Sequence, residues 1–152
     1  MPPVIGLSHK HIVMVDLDGM PLEKVKRLAD LALKRFRLGG YVILESSPNN
    51  YHVVFDRPFR YWSETARVMA WIAIMSNNPN VKDWVLMQEI KEASTLRVSP
   101  KPTNPEGYKP TPKIVYQYGS RNLGIKAYLK AREEALKLLK ELKIYKEQTT
   151  QT

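Results

Sequence analysis

His11-Ile-Val-Met-Val-Asp16-Leu-Asp18-Gly19 is the stretch on which the fold turns: an apolar run that ends in two carboxylates and a glycine. Four apolar residues followed by this acidic end read as a buried strand running from about Lys10 to Asp18. Side chains alternate along a strand, so Asp16 and Asp18 project from one face and Leu17 from the other. Two like charges on one surface repel each other unless a cation or basic group lies between them. An all-oxygen pair of this kind suits Mg2+ or Mn2+. Asp-Leu-Asp-Gly is also good turn chemistry, and that reading stays open beside the metal one.

The chain that carries this strand has 152 residues, the size of one domain, and 43% of them are hydrophobic against 26% charged. Such a balance fits a globular protein, with residues 1–147 as a single α+β domain and residues 148–152 as a frayed tail. No apolar run approaches a bilayer span, and no basic-then-apolar leader opens the chain, so a cytoplasmic protein without membrane contact is expected. The absence of cysteine excludes disulfides, iron–sulfur clusters and thiolate zinc sites. The net charge of +9 makes nucleic acid the first partner to consider.

Outward from the acidic strand, Gly19-Met20-Pro21 breaks the chain. Leu22, Val25, Leu28, Ala29, Ala32, Leu33 and Phe36 then recur at helical spacing, with Gly39-Gly40 as a stop. Tyr41–Leu44 and Tyr51–Phe55 read as two strands of a hairpin around Glu45–Asn50. A second helix is expected from Ser63-Glu64 to Asn77-Asn78-Pro79. Further strands are expected at Asp83–Gln88, Thr95–Val98 and Lys113–Tyr118. Between the last two, five prolines from Pro100 to Pro112 predict an irregular, basic loop. A Lys/Glu-rich helix from Asn122 to about Tyr145 closes the chain, its inner stripe formed by Ala127, Ala131, Ala135, Leu138 and Leu142.

The order strand–helix–strand–strand–helix–strand predicts a ferredoxin-like or RRM-like (βαββαβ) antiparallel sheet, with its helices on one face and the other face open to ligands. The first strand is then central. His52 on the hairpin and Glu89 beyond the second helix can come close to it. Carboxylates around Mg2+ or Mn2+, with basic side chains to hold a triphosphate, are what phosphoryl transfer requires.

Asp16-Leu-Asp18 after an apolar strand, then Ser46-Ser-Pro-Asn-Asn-Tyr-His52, then Ser94-Thr-Leu-Arg97-Val-Ser-Pro-Lys101 form an ordered series. This series resembles the motifs of the archaeo-eukaryotic primase superfamily, which includes plasmid and viral replicases. The resemblance implies an RRM-like catalytic module that polymerises nucleoside triphosphates on a DNA template with Mg2+ or Mn2+. By position, Asp16 and Asp18 match the first metal-binding acids, and His52 matches the nucleotide-phosphate histidine. Glu89 is taken as the third acid, with Glu92 and Asp83 in reserve. Ser46, Ser47, Asn50, Arg97 and Lys101 complete the implied nucleotide-binding set. The implied partners are nucleic acid, DNA more than RNA, nucleoside triphosphates and other replication proteins.

Two other readings remain open. A non-catalytic RRM-like module would stack bases on Tyr51, Phe55 or Tyr116 and hold phosphates with its basic helices. A metal-dependent nuclease or nickase would use His9-Lys10-His11 with Asp16, and Tyr128 as nucleophile.

Overall fold

The computed structural model describes residues 4–103 and 107–150. The acidic stretch forms strand β2 (Met14–Asp18), and a shorter strand β1 (Gly6–His9) precedes it. The strand expected from about Lys10 to Asp18 thus begins only at Met14, and residues 10–13 pass between the two strands. Helix α1 (Leu22–Phe36) follows Pro21 and ends at Arg37, whose left-handed backbone (φ 53°) turns its N–H back to the Leu33 carbonyl. Strands β3 (Gly40–Ser47) and β4 (Asn50–Phe55) form the expected hairpin.

Helix α2 (Trp62–Ser76) opens on a reciprocal cap, in which Glu64 Oε1 accepts from the Tyr61 N–H. Asn77 in the left-handed region stops it, and α3 (Pro79–Lys91) starts at once. Asp83–Gln88 therefore lies in a helix, which corrects the expected strand. The Asn78 side chain accepts the Asn80 N–H at 2.9 Å and Pro79 sits in the first turn, the two features that start a helix best.

Strand β5 (Ser94–Arg97) follows, and the proline-rich segment then forms a small hairpin, β6 (Lys101–Thr103) with β7 (Gly107–Lys109), where an irregular loop was expected. Strand β8 (Lys113–Gly119) leads into α4 (Gly124–Thr150). The helix thus continues into the tail expected to fray from Gln148, while residues 151–152 lie outside the described ones.

The protein is α+β, with four helices and antiparallel sheets. The main sheet has the order β2-β4-β3-β8, and β1 pairs with β5 in a separate ladder. A ferredoxin-like order would hydrogen-bond β5 to β2. The two are linked instead by the Ser94 hydroxyl, which donates to the Met14 carbonyl at 2.8 Å.

Alternation divides the sheet into two apolar faces. Val13, Val15, Leu17, Ile43, Val53 and Phe55 pack with α1, α2 and α3 in the larger core. Met14, Val42, Leu44 and Val54 pack on the other side with Leu96 and Val98, and with Ile125 and Tyr128 of α4. Helices therefore cover both faces, in place of the expected one. The second face is too apolar over this half of the sheet to be left in water. The inner stripe of α4 differs in part from the expected one: Ala135 packs against the core as expected, but Ile125, Tyr128 and Leu139 are the buried residues, while Ala127, Leu138 and Leu142 are exposed.

Asp56, just past β4, fixes the start of α4. Its carboxylate accepts from Ser120 Oγ (2.7 Å) and from the N–H groups of Asn122 (3.2 Å), Leu123 (3.0 Å) and Ile125 (3.1 Å). The chain passes close by here: a Cβ on Gly40 would stand 2.0 Å from the Ser120 carbonyl oxygen. Burial raises the Asp56 pKa, but the Leu123 amide, the Ser120 hydroxyl and the Ile125 and Asn122 amides outweigh it, and the net direction is down.

Candidate functional site

Beyond the ground covered by α4 and β5, the second face of the sheet carries polar groups. The β2–β4 register sets Asp16 directly opposite His52 and Asp18 opposite Asn50. The Phe55 N–H donates to the Val13 carbonyl at 3.0 Å, so the hydrogen-bonded pairs of this ladder are Val13/Phe55, Val15/Val53 and Leu17/Tyr51. Asp16 and His52 form a non-hydrogen-bonded pair, the kind whose side chains come closest. His52 Nε2 lies 3.9 Å from Asp16 Oδ1.

That distance is too long for a hydrogen bond, and the charges do not make an ion pair. Burial, together with a hydrogen bond to Asp18 and its charge, pushes the Asp16 pKa up to about 8 against the pull of Lys109 and Arg97. Burial brings His52 down to about 4, with Asp18 opposing and Arg97 and Lys109 assisting. Burial thus favours the neutral form of each group. Asp16 Oδ1 and His52 Nδ1 are buried without a hydrogen-bond partner. Unpaired polar atoms are costly inside a protein, so each leaves bonding capacity that the fold does not use.

Two basic elements converge on this point. Arg97, at the end of β5, has its pKa lowered by burial while Asp16 and Asp18 act in the opposite direction. Its Nη1 donates to the carbonyls of Ser99 and, at 3.1 Å, Pro110, while Nη2 is buried and unpaired. Arg97 thereby ties the proline-rich segment to the site. Lys109 of β7 is near enough to influence both Asp16 and His52. Lys101 stands opposite Lys109 in the β6–β7 register, so the hairpin carries both on one face.

No known protein family, curated protein or solved structure matches this chain.

Other expected site residues are occupied differently. Asn50 holds the turn after β2, its Oδ1 accepting the Gly19 N–H at 3.0 Å and its Nδ2 donating to Ser47 Oγ at 2.6 Å. Ser46 is buried and donates to the Asn50 carbonyl at 3.3 Å. Ser46, Ser47 and Asn50 thus shape the hairpin end that positions His52. Glu89 and Asp83 are exposed on α3, as is Glu92 just past its end, and the buried neighbour of Glu89 is Gln88. Among the described residues, no group of three or more His, Cys, Asp or Glu side chains is arranged to hold a metal. Lys109 was not singled out from the sequence; its signal was a lysine eight residues after Lys101 within a basic, proline-rich stretch.

The residues of the two other readings are placed as follows. Tyr51 and Phe55 are buried in the larger core, and Tyr116 is half-buried with Lys26 Nζ 4.2 Å above its ring. His9 and His11 do not share a strand face, since β1 ends at His9 and the His11 ring contacts the Phe59 carbonyl at 3.0 Å. Tyr128 is fully buried and its hydroxyl is pushed up to about 12, mainly by burial, which is unfavourable for a nucleophile. None of the described helices is long and apolar enough to cross a membrane.

Proposed function

We propose that this chain is a nucleic-acid replication protein of primase type, binding a nucleoside triphosphate with Mg2+ or Mn2+ at Asp16, Asp18 and His52 for nucleotidyl transfer. One observation carries the reading: Asp16, Asp18 and His52 share one sheet face, with the positive charges of Arg97 and Lys109 beside them. The residues fit a cation in one respect that turn chemistry does not explain, the partnerless Asp16 Oδ1 next to a second carboxylate. Mg2+ is commonly held by one or two carboxylates, with water and substrate phosphates completing its shell. Bound there, the metal would neutralise phosphate charge and favour in-line attack.

The protein's own groups have separable tasks. Asp16 and Asp18 would hold the cation. His52, kept neutral by burial, offers a hydrogen bond to phosphate without demanding a counterion. Arg97 and Lys109, with Lys101 beside it, would hold the remaining phosphate charge. An RRM-like plan, proposed with this function, is supported by β5 lying against the free edge of β2. The net charge of +9 supports a polyanionic partner; the primase resemblance implies DNA more than RNA and other replication proteins, in a cytoplasmic setting.

A second reading, a nucleic-acid-binding module without chemistry, is favoured by the position of Glu89 away from the acidic pair. The test compares Mg2+, Mn2+ and nucleotide binding, and primer synthesis and extension, for the parent and for D16A/D18A. Metal-dependent synthesis that disappears in the double variant is the expected result. Nucleic-acid binding that survives in the variant, with no synthesis by the parent in either metal, overturns the polymerase reading and leaves the binding module.

A further inference from the structure

A second concentration of unpaired charge lies at the other end of the sheet. Between the end of α1, the loop after β4 and the first half of α2 is a cleft of about 300 Å³. Arg35, Arg37, Arg57 and Arg67 line it, together with Phe36 and Phe59. Its one carboxylate is Glu64, and Glu64 Oε1 already accepts the Tyr61 N–H at 3.3 Å. Among the described residues none of the four arginines makes an ion pair. Four guanidiniums around one small space repel each other, and an anion relieves that repulsion.

Two of the arginines are held in place by the fold. Arg57 Nη1 donates to the Phe36 carbonyl at 2.8 Å, and the Arg57 guanidinium lies 4.8 Å from the centre of the Phe59 ring. The Arg35 guanidinium lies 5.4 Å from the centre of the Phe36 ring. Stacking occupies the flat side of a guanidinium and leaves its N–H edge for a planar, two-point contact with phosphate oxygens. Arg57 is therefore a prearranged donor, and the Arg35 guanidinium is steered by the neighbouring ring. The cleft is also separate from the acidic site. Arg57 is five residues beyond His52, about 17 Å of strand, and the cleft's Val68 belongs to the core on the opposite sheet face.

We propose that this cleft binds the phosphodiester backbone of single-stranded nucleic acid. A cleft of about 300 Å³ lined by four guanidiniums, one of them fixed by a hydrogen bond, accommodates the backbone of one strand, and a chain of net charge +9 draws a polyanion to it. The proposal does not rest on metal chemistry at Asp16.

The test measures fluorescence anisotropy of a labelled 20-nucleotide oligo-dT with the full chain across a salt series. Arg35 and Arg67 are exposed and make no hydrogen bond among the described residues, so R35Q/R67Q removes two contacts and leaves Arg57 to hold its loop. Binding should weaken about tenfold, with the logarithmic salt slope shallower by about 1.4, or 0.7 per phosphate lost. R35K/R67K should restore the slope, and D16A/D18A should leave it unchanged. An unchanged slope in R35Q/R67Q overturns the proposal, as does an equal loss in K126Q/K130Q on α4, which would mean diffuse charge alone. Displacement of the oligonucleotide by inorganic triphosphate at equal phosphate concentration assigns the cleft to free phosphates and also overturns it. So does binding of anionic phosphatidylglycerol vesicles in preference to the oligonucleotide.

Discussion

Asp56 stands just past one end of the β2–β4 ribbon and Asp16 in its middle, and their carboxylates have opposite fates. Asp56 receives a hydroxyl and three amides, and its pKa falls below the ordinary carboxylate range. Asp16 has an oxygen with no partner and is pushed up to about 8. Burial acts in the same direction on both, so the supply of donors decides the outcome. A saturated carboxylate is part of the framework. An unsaturated one is destabilising until something outside the chain meets it.

The sharpest way to break this contrast is D56A. It leaves three amides and the Ser120 hydroxyl without their acceptor at the start of α4, and should cost about 3 to 5 kcal/mol in urea unfolding. A loss below about 1 kcal/mol would mean that the corner is not held by its carboxylate.

The next largest effect has the opposite sign. A carboxylate whose folded pKa is raised contributes fully below its unfolded value near 3.8, and that contribution is lost as pH rises towards 8. In chelator, D16N should therefore unfold at higher urea than the parent at pH 8, by about 2 kcal/mol. Saturating Mn2+ should stabilise the parent and not D16N. A parent indifferent to Mn2+ would break the link between the orphaned oxygen and a cation.

His52 gives the smallest effect. Its folded pKa is depressed, so the neutral form is favoured and stability falls as pH drops from 6.5 towards 4. At pH 5.5 the parent should have lost about 1 kcal/mol relative to pH 7.5 through this group, and H52N should lose less. The comparison is best made as the difference between the two urea midpoints at each pH, because Asp16 gains over the same range.

The acidic pair and His52 were legible because alternation along a strand is a local property, and five residues suffice to show it. Arg97 and Lys101 could be singled out as basic residues, but the long-range placement of Arg97 depends on β5 reaching β2 by a side chain instead of a ladder. Lys109 was obscured because prolines suggested that no regular element could carry it. Pro102 nonetheless sits in β6, opposite Tyr108 of β7, within a two-stranded sheet where every strand is an edge. Asp83–Gln88 was misread because Trp-Val-Leu-Met is rich in β-formers, although Asn78-Pro79 carried a helix start just before it. Glu89, expected just past that strand, lies instead in α3, and turning a strand into a helix changes which side chains share a face. On α4 the alanines suggested an inner stripe. The docking is set instead by Ile125 and Tyr128, beside the amides that Asp56 holds.

The Asp56 corner also bears on the order of events during folding. Its bonds join residues 64 to 69 positions apart, whereas the β3–β4 hairpin closes over a few residues. Closing the longer loop has the greater entropic cost, and that cost falls before any contact compensates it. The hairpin bearing His52 is therefore expected to form early and α4 to dock late. Until it docks, Met14, Val42, Leu44 and Val54 face water, and the young sheet is at its most adhesive during that interval.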